Sequence, residues 1–232
     1  MKFLEWDKLP EFMKCIEVKK YYNVLEKKKG EIYVKRLFDI IVAIILLLIF
    51  LLPMLLIAIM IKLDSSGPIF YRQERITTYG KKFKIHKFRT MVNNAATVGA
   101  SVTVNGDARI TKVGKRLRNF RIDEIPQLID VLIGNMSFVG TRPEVTKYVK
   151  EYSNEMYATL LLPAGITSEA SIRYKDEAIL LNIADNVDEV YVKKILPEKM
   201  KYNLKSIEQF SFIQEIITMF RTIFSVLGKE YK

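Results

Sequence analysis

Cysteine and histidine are nearly absent from the 232 residues: the chain has one of each, Cys15 and His86. A lone cysteine closes no internal disulfide, and the two residues cannot supply a Cys/His zinc cluster and leave little scope for a Ser-His-Asp triad. A chain without disulfide potential is expected to keep its water-exposed part in the cytoplasm. Two nucleotide-binding fingerprints are missing as well, GxxxxGK(S/T) and GxGxxG, which removes the folds that hold nucleotides through those glycine-rich turns. There is no internal repeat, low-complexity tract or extended linker. The length accommodates one membrane element and one compact domain of about 150 to 170 residues.

Neither a charge nor a hydrogen-bonding side chain interrupts the 22 residues from Ile40 to Ile61. As a helix rising about 1.5 Å per residue, that run can cross a hydrocarbon core of roughly 30 Å. It starts too deep in the chain and is too long for the core of a cleavable signal, so it is expected to remain in the mature protein. A helix apolar on every face and buried in a soluble core is the alternative, rare in a chain this small. Pro53 lies just past the middle, and basic residues flank both ends: Lys35 and Arg36 before, Lys62, Arg72 and Arg75 after. A one-way crossing should leave one side poorer in Lys and Arg. Equal basic flanks and a helix-breaking proline predict a bent helix that enters the bilayer and returns to the same face.

Charge is unevenly placed. From Lys62 to Arg121 there are 14 Lys or Arg against 3 Asp or Glu, a surplus equal to the whole chain's net charge of +11. Cations beside a membrane element suit an anionic lipid surface or a phosphorylated substrate better than nucleic acid, for which the segment lacks the expected aromatic stacking pattern.

Before the apolar run, Met1 to Tyr33 mixes aromatics with Lys and Glu. It reads equally as an interfacial amphipathic helix or as one packed on the main domain. After the run, Ser65-Ser66-Gly67-Pro68 marks a turn, and Ile69 to Arg75 and Lys82 to Arg89 read as a hairpin joined by Thr77 to Gly80. Val92 to Asn105 reads as a loop and Ile110 to Phe120 as a basic helix. A proline is tolerated in a first helical turn, so Pro126 predicts a helix from about Asp123 to Leu132, closed by Gly134. Glu144 to Met156 is helical in pattern, Pro163 to Thr167 reads as a turn, and Ala178 to Leu196 as one or two helices. Phe210, Ile213, Ile217, Phe220 and Phe224 form an apolar stripe that predicts a C-terminal helix packed through that face, with membrane contact the other use of such a stripe.

The residues that carry chemistry follow the basic stretch. Asp123 and Glu124, at the expected helix start, would have backbone N–H groups to cradle a phosphate and cations to keep both carboxylates ionised. An ionised Asp can attack phosphorus, and an adjacent Glu can hold the Mg²⁺ that neutralises phosphate oxygens. An ordinary N-cap and first-turn acid give the same pattern. Arg118 and Arg142, the second fixed between Gly140 and Pro143, are candidates to clamp a phosphate, and Lys87 and Arg89 are either further phosphate ligands or a solvated strand face. His86 reads as an outward-facing strand residue.

The order of these motifs is similar to that of a known family. Lys35-Arg36-Leu37-Phe38-Asp39, the apolar run with Pro53, Ile61-Lys62-Leu63-Asp64-Ser65-Ser66-Gly67-Pro68, Lys87-Phe88-Arg89-Thr90-Met91, Asp107-Ala108-Arg109-Ile110-Thr111, Asp123-Glu124-Ile125-Pro126-Gln127-Leu128 and Gly140-Thr141-Arg142-Pro143 together resemble the bacterial sugar transferases, the monotopic polyprenyl-phosphate phosphoglycosyl transferases. The resemblance covers roughly residues 33 to 228. It implies transfer of a sugar 1-phosphate from a UDP-sugar to undecaprenyl phosphate with release of UMP, opening assembly of a capsule, exopolysaccharide or O-antigen glycan. Asp123 would then be the nucleophile that carries a covalent phosphosugar, Glu124 a Mg²⁺ ligand, and Arg118 a phosphate-binding residue. Pro53 would break a re-entrant helix, placing the site at the cytoplasmic face of the bacterial inner membrane. Gly140-Thr141-Arg142-Pro143 departs from the commoner Gly-Pro-Arg-Pro, and Ala164 to Ser171 from Pro-Gly-Ile-Thr-Gly-Trp-Ala-Gln, which bears on sugar and nucleotide recognition.

The fold expected is therefore α+β: an N-terminal segment (1–33), a re-entrant membrane helix (34–63), and a small, mostly helical cytoplasmic catalytic domain with a β-hairpin (64–232). Its partners are a UDP-sugar, undecaprenyl phosphate and membrane lipid, with no nucleic acid. The competing reading is a membrane-anchored adaptor whose basic segment binds anionic lipid or nucleic acid.

Overall fold

A 36-residue helix, α2 (Lys29–Asp64), takes up the whole apolar run and extends it at both ends. It belongs to a computed structural model that describes residues 3–93, 107–175, 177 and 186–226. The expected break at Pro53 is not a break in helical structure, since α2 is one helix through that position. A proline costs a single i to i−4 hydrogen bond and crowds one carbonyl, demands that a continuous helix can absorb. The side chains sort by face. Asp39, Ala43 and Ile61 are buried, and Leu46, Leu47, Phe50, Met54 and Ile57 pack against the two apolar clusters beneath them. These positions recur every three or four residues, so one face is covered along the whole run. The opposite face is bare: Leu37, Ile41, Leu48, Ile49, Leu52, Leu56 and Ile59 are all exposed.

Both ends of α2 are fastened to the same domain. At the start, Lys35 Nζ donates to the Val139 carbonyl at 2.9 Å, Arg36 donates to the carbonyls of Val131 and Leu132, and the Phe138 N–H donates to Asp39. At the far end, Arg89 donates to the carbonyls of Ile61, Ser65 and Ser66, and the Val113 N–H donates to Asp64 at 3.0 Å.

Ahead of α2, helix α1 (Ile16–Lys27) and the residues before it pack on the domain, the second of the two sequence readings. Met13, Val18, Tyr22 and Leu25 are almost wholly buried and share a cluster with Leu160, Leu161, Ile207 and Phe210. The hairpin forms as expected from β1 (Phe70–Ile76) and β2 (Lys82–Phe88), antiparallel with Phe70 opposite Phe88. The basic helix is α3 (Lys112–Asn119). The loop expected from Val92 falls mostly outside the described residues, as does the first part of the helical stretch expected from Ala178.

A second sheet was not visible in the sequence. β3 (Met136–Val139) and β4 (Ala164–Thr167) pair in parallel, so the segment read as a turn at Pro163 to Thr167 is a buried strand. Four residues, one of them Gly165, carry too little alternation to announce a strand. Gly165 is required by contact: a Cβ there would lie 2.2 Å from the Gly140 nitrogen. Two short elements replace the helix expected over Glu144 to Met156, α5 (Thr146–Val149) and a 3₁₀ segment (Glu155–Leu161). After α6 (Glu169–Arg173), helix α7 (Val187–Val190) passes through a π turn at Tyr191–Ile195 into α8 (Leu196–Glu208).

The last helix, α9 (Phe212–Val226), reverses the expectation for its apolar stripe. Phe210, just before it, is buried, but Ile213, Ile217, Phe220 and Ile223 face outward, and α9 packs inward through residues that include Thr218 and Met219. Thr222 also turns inward, its hydroxyl paired with that of Thr167 on β4. Aromatic contact between Phe38 and Phe212 joins the start of α9 to α2.

Candidate active site

Asp123 and Glu124 lie in a 3₁₀ turn (Ile122–Glu124), and the helix that follows, α4 (Gln127–Ile133), begins only after Pro126. The pair therefore sits a turn ahead of the helix start where the sequence placed it, so its charges are handled by side chains. Arg121, with φ of 53°, turns the chain sharply from α3 into this segment, a left-handed conformation that costs a non-glycine residue about 1 kcal/mol or more.

Two separate elements converge on Glu124. Lys87 from β2 donates to its Oε1 at 2.7 Å, and Arg142, from the loop after β3, donates to the same oxygen at 2.5 Å and to Oε2 at 3.5 Å. Burial alone would push the Glu124 carboxyl up, but the two cations outweigh it and hold the group well below the usual range. Asp123, 9% exposed, goes the other way. Burial and the Glu124 carboxylate raise it above its ordinary value, against the pull of Lys87, Arg118 and Arg142. The two carboxylates thus differ in basicity: Glu124 is held as an anion by its two cations, and Asp123 is the more basic of the pair.

Of the residues expected at the phosphate site, Lys87, Arg118 and Arg142 share one cavity, and Arg89 lies elsewhere. Arg89 is 5% exposed and caps the end of α2, which leaves it no access to a ligand beside Asp123. His86 does not point outward either: its Nδ1 is 2.9 Å from Oδ1 of the fully buried Asp130. Pro53 is exposed on α2.

Two cavities lie near the carboxylate pair; Glu124 lines the second, and Asp123 lines neither. The first, about 270 Å³, is strongly cationic, lined by Arg75, Lys87, Arg118, Arg121, Arg142, Lys175 and Lys199 together with Glu144, Glu177, Tyr148 and Tyr191. The second, about 630 Å³, reaches Glu124 at one end and has Leu46 and Phe50 of α2 as part of its wall, with Ile125, Leu128, Phe138 and Ile166 around them. Arg118, Arg121, Ser171 and Lys175 line both. Sequence reasoning missed Arg75, Glu144, Lys175, Tyr191 and Lys199. Glu144 follows Arg142-Pro143 directly and was legible as part of that loop; Tyr191 and Lys199 arrive from elements far along the chain. A further cavity of about 250 Å³ among α6, α8 and α9 lies behind Gly140 and Thr141, and its Glu169 is paired with Arg173 and Arg221.

Among the described residues no group of three or more His, Cys, Asp or Glu is arranged for a metal ion. Mg²⁺ asks for less, one or two carboxylates completed by substrate phosphates and water. Asp123 and Glu124 meet that minimum, with Glu124 Oε2 the oxygen less engaged by cations.

The profile of the bacterial sugar transferase family matches residues 30–229. The chain belongs to that family. Among its curated relatives, the UDP-N-acetylgalactosamine-undecaprenyl-phosphate N-acetylgalactosaminephosphotransferase of Aeromonas hydrophila is 34% identical over 199 residues, 84% of this chain and 44% of that protein. The UDP-glucose:undecaprenyl-phosphate glucose-1-phosphate transferase of Klebsiella pneumoniae is 33% identical over 197 residues, 82% of this chain and 39% of its own. A Bacillus subtilis (strain 168) protein provisionally named an undecaprenyl-phosphate N-acetylgalactosaminyl 1-phosphate transferase is 39% identical over 157 residues, 67% of this chain and 86% of its length. The chain thus spans less than half the length of the first two sugar transferases and most of the third.

Proposed function

We propose that this chain is a phosphoglycosyl transferase that moves a sugar 1-phosphate from a UDP-sugar to undecaprenyl phosphate at the cytoplasmic face of the bacterial inner membrane. The observation that carries this reading is the pair of cavities meeting at a cationic junction beside Asp123 and Glu124, one of them walled by the apolar helix α2. A donor that is soluble and an acceptor that never leaves the bilayer require such a site. The relatives' names supply the two substrate classes.

The chemistry suits the carboxylates. An Asp123 oxygen attacks the sugar-bearing phosphorus, the bond from phosphorus to the bridging oxygen breaks, and UMP leaves with that oxygen. The phosphate of undecaprenyl phosphate then attacks the same phosphorus, the aspartyl–phosphorus bond breaks, and Asp123 returns as a carboxylate. The raised basicity of Asp123 favours the first step. Lys87, Arg118 and Arg142 stand where negative charge accumulates on the phosphoryl oxygens. Mg²⁺ held by Glu124 and the substrate's phosphates would neutralise the same oxygens when bound.

Two features support a helix whose two ends lie on the same side of the bilayer. Both ends of α2 are fastened to one domain, and one face of the helix is packed on that domain along its whole length. A spanning helix would need lipid around its full circumference and would leave the domain's two contact regions on opposite sides. The bare faces of α2 and α9 together form the bilayer-facing surface.

The test is to incubate purified protein with a UDP-sugar in the absence of lipid acceptor and measure its intact mass. Wild type should gain a hexose phosphate and release UMP, and Asp123→Asn should do neither; a full adduct on Asp123→Asn would reject the nucleophile. Chelation of Mg²⁺ should slow adduct formation.

A further inference from the structure

We infer that the back wall of the cationic cavity reads the donor's glycosyl ring, with Glu144, Tyr191, Lys199 and Glu177 as the specificity-determining residues, and that the ring they accept is uncharged. This rests on the transferase reading above.

The argument starts from the geometry of displacement at phosphorus, where attacking and leaving oxygens stand roughly in line. In the first transfer UMP departs on the side opposite Asp123. In the second, the lipid phosphate arrives on that same side. The two phosphates therefore use one place in turn, and the residues lining both cavities, Arg118, Arg121, Ser171 and Lys175, form a junction suited to it. The wider cavity beside Leu46 and Phe50 then serves the nucleoside and afterwards the lipid chain. The sugar stays on the phosphorus through both transfers, so it needs space that neither group passes through. Among the described residues, the back of the smaller cavity provides that space, and about 270 Å³ suits a single ring better than the ~300–1,000 Å³ of pockets for drug-sized ligands.

The wall there is built for hydroxyls. Tyr191 donates to Glu144 Oε1 at 2.6 Å and accepts from Lys199 at 3.3 Å, and Lys199 also donates to Glu177 at 2.7 Å. Tyr191, Glu144 and Lys199 are all buried. Burial and the Glu144 carboxylate hold the Tyr191 hydroxyl well above its usual value, so it remains a donor. On the same wall lies Arg75, whose guanidinium is held by the Pro143 carbonyl and the Gln73 side chain. Charge also differs along the cavity. Away from the junction the cavity has Arg75 and Lys199 alongside two carboxylates, Glu144 and Glu177, and its other two cations, Lys87 and Arg142, are paired with Glu124; the junction carries Arg118, Arg121 and Lys175 and no carboxylate. Phosphates belong at the junction, and a ring bearing hydroxyl or acetamido groups belongs at the back, where a uronate would meet Glu144 and Glu177.

The experiment measures kcat/KM of the full chain with undecaprenyl phosphate and UDP-glucose, UDP-N-acetylglucosamine, UDP-N-acetylgalactosamine and UDP-glucuronate, with inhibition by UMP alongside. Wild type should use a neutral donor and reject the glucuronate. Tyr191→Phe, which keeps the ring, should lower kcat/KM for the best donor roughly 3- to 10-fold and narrow the ratio between best and second-best, with UMP inhibition within about twofold of wild type. Lys199→Met should narrow the same ratio. Equal losses on every donor in both variants, UMP inhibition that weakens in step, or a wild-type preference for the glucuronate would overturn the inference and leave the transferase standing. A wild type inactive on all four donors would remove the transferase reading, and this one with it.

Discussion

Replacing Asp123 by asparagine should make the protein more stable while abolishing transfer. Burial and the Glu124 carboxylate raise Asp123 above its ordinary value despite three nearby cations. A carboxyl that titrates higher in the folded state binds its proton more tightly there than in the unfolded chain. Stability then falls as pH rises from the unfolded value to the folded one, and above the folded value the whole penalty is present. Asparagine cannot ionise and removes it. Each unit of displacement is worth about 1.36 kcal/mol, and each kcal/mol about 2–4 °C in Tm for a chain of this size. Thermal melts in detergent should place Asp123→Asn above wild type at about pH 7.5, with the gap closing near pH 4, about the unfolded aspartate value. Glu124→Gln should do the opposite at neutral pH. Glu124 is held low, so its anion stabilises the fold above the unfolded value, and glutamine leaves Lys87 and Arg142 without their counter-charge. An Asp123→Asn protein that melts at or below wild type at neutral pH, or a gap that persists in acid, would refute this account of the site.

Lys87→Met removes a cation that holds Asp123 down, so the acid limb of the kcat/KM profile should move to higher pH; an unmoved limb would disconnect the two residues. In a Cys15→Ser background, single cysteines at positions 30–35 and 64–70 should react with an impermeant reagent from the same side of sealed membrane vesicles, and labelling from opposite sides would rule out the same-face topology. Gly165→Ala drives a methyl to 2.2 Å from the Gly140 nitrogen and should cost about 1–3 kcal/mol; an unchanged Tm would contradict the close contact of β3 and β4. Ile217→Asp, on the exposed face of α9, should weaken binding to liposomes of anionic lipid without lowering Tm in detergent, whereas unaltered binding would detach α9 from the membrane.

The sequence carried the long apolar helix in plain form, because an uninterrupted run of 22 apolar residues is a local signal. The hairpin was equally legible, since period-two alternation and a turn of Thr77 to Gly80 are neighbours in the chain. Asp123, Glu124, Arg118 and Arg142 could be marked from residue type and order. What failed to show was whatever depends on a distant partner. β4 is four residues that become a strand only because Met136 to Val139 lies beside them. Arg89 looked equivalent to Lys87, two positions away, and the end of α2 claimed it for capping carbonyls instead. The stripe on α9 had the spacing of a core helix, and only the packing revealed that it faces outward next to α2.

Length, hydropathy and motif order thus determined by themselves that this chain has a helix long and apolar enough to cross a membrane, a basic segment behind it and the motif order of a bacterial sugar transferase. Tertiary structure decided how those charges differ. Asp123 and Glu124 are adjacent in sequence and chemically similar, yet one is raised and the other held low, because Lys87 from β2 and Arg142 from the loop after β3 both close on Glu124. Electrostatic energy depends on distance and burial, which no linear spacing encodes when the partners are 37 and 18 residues away.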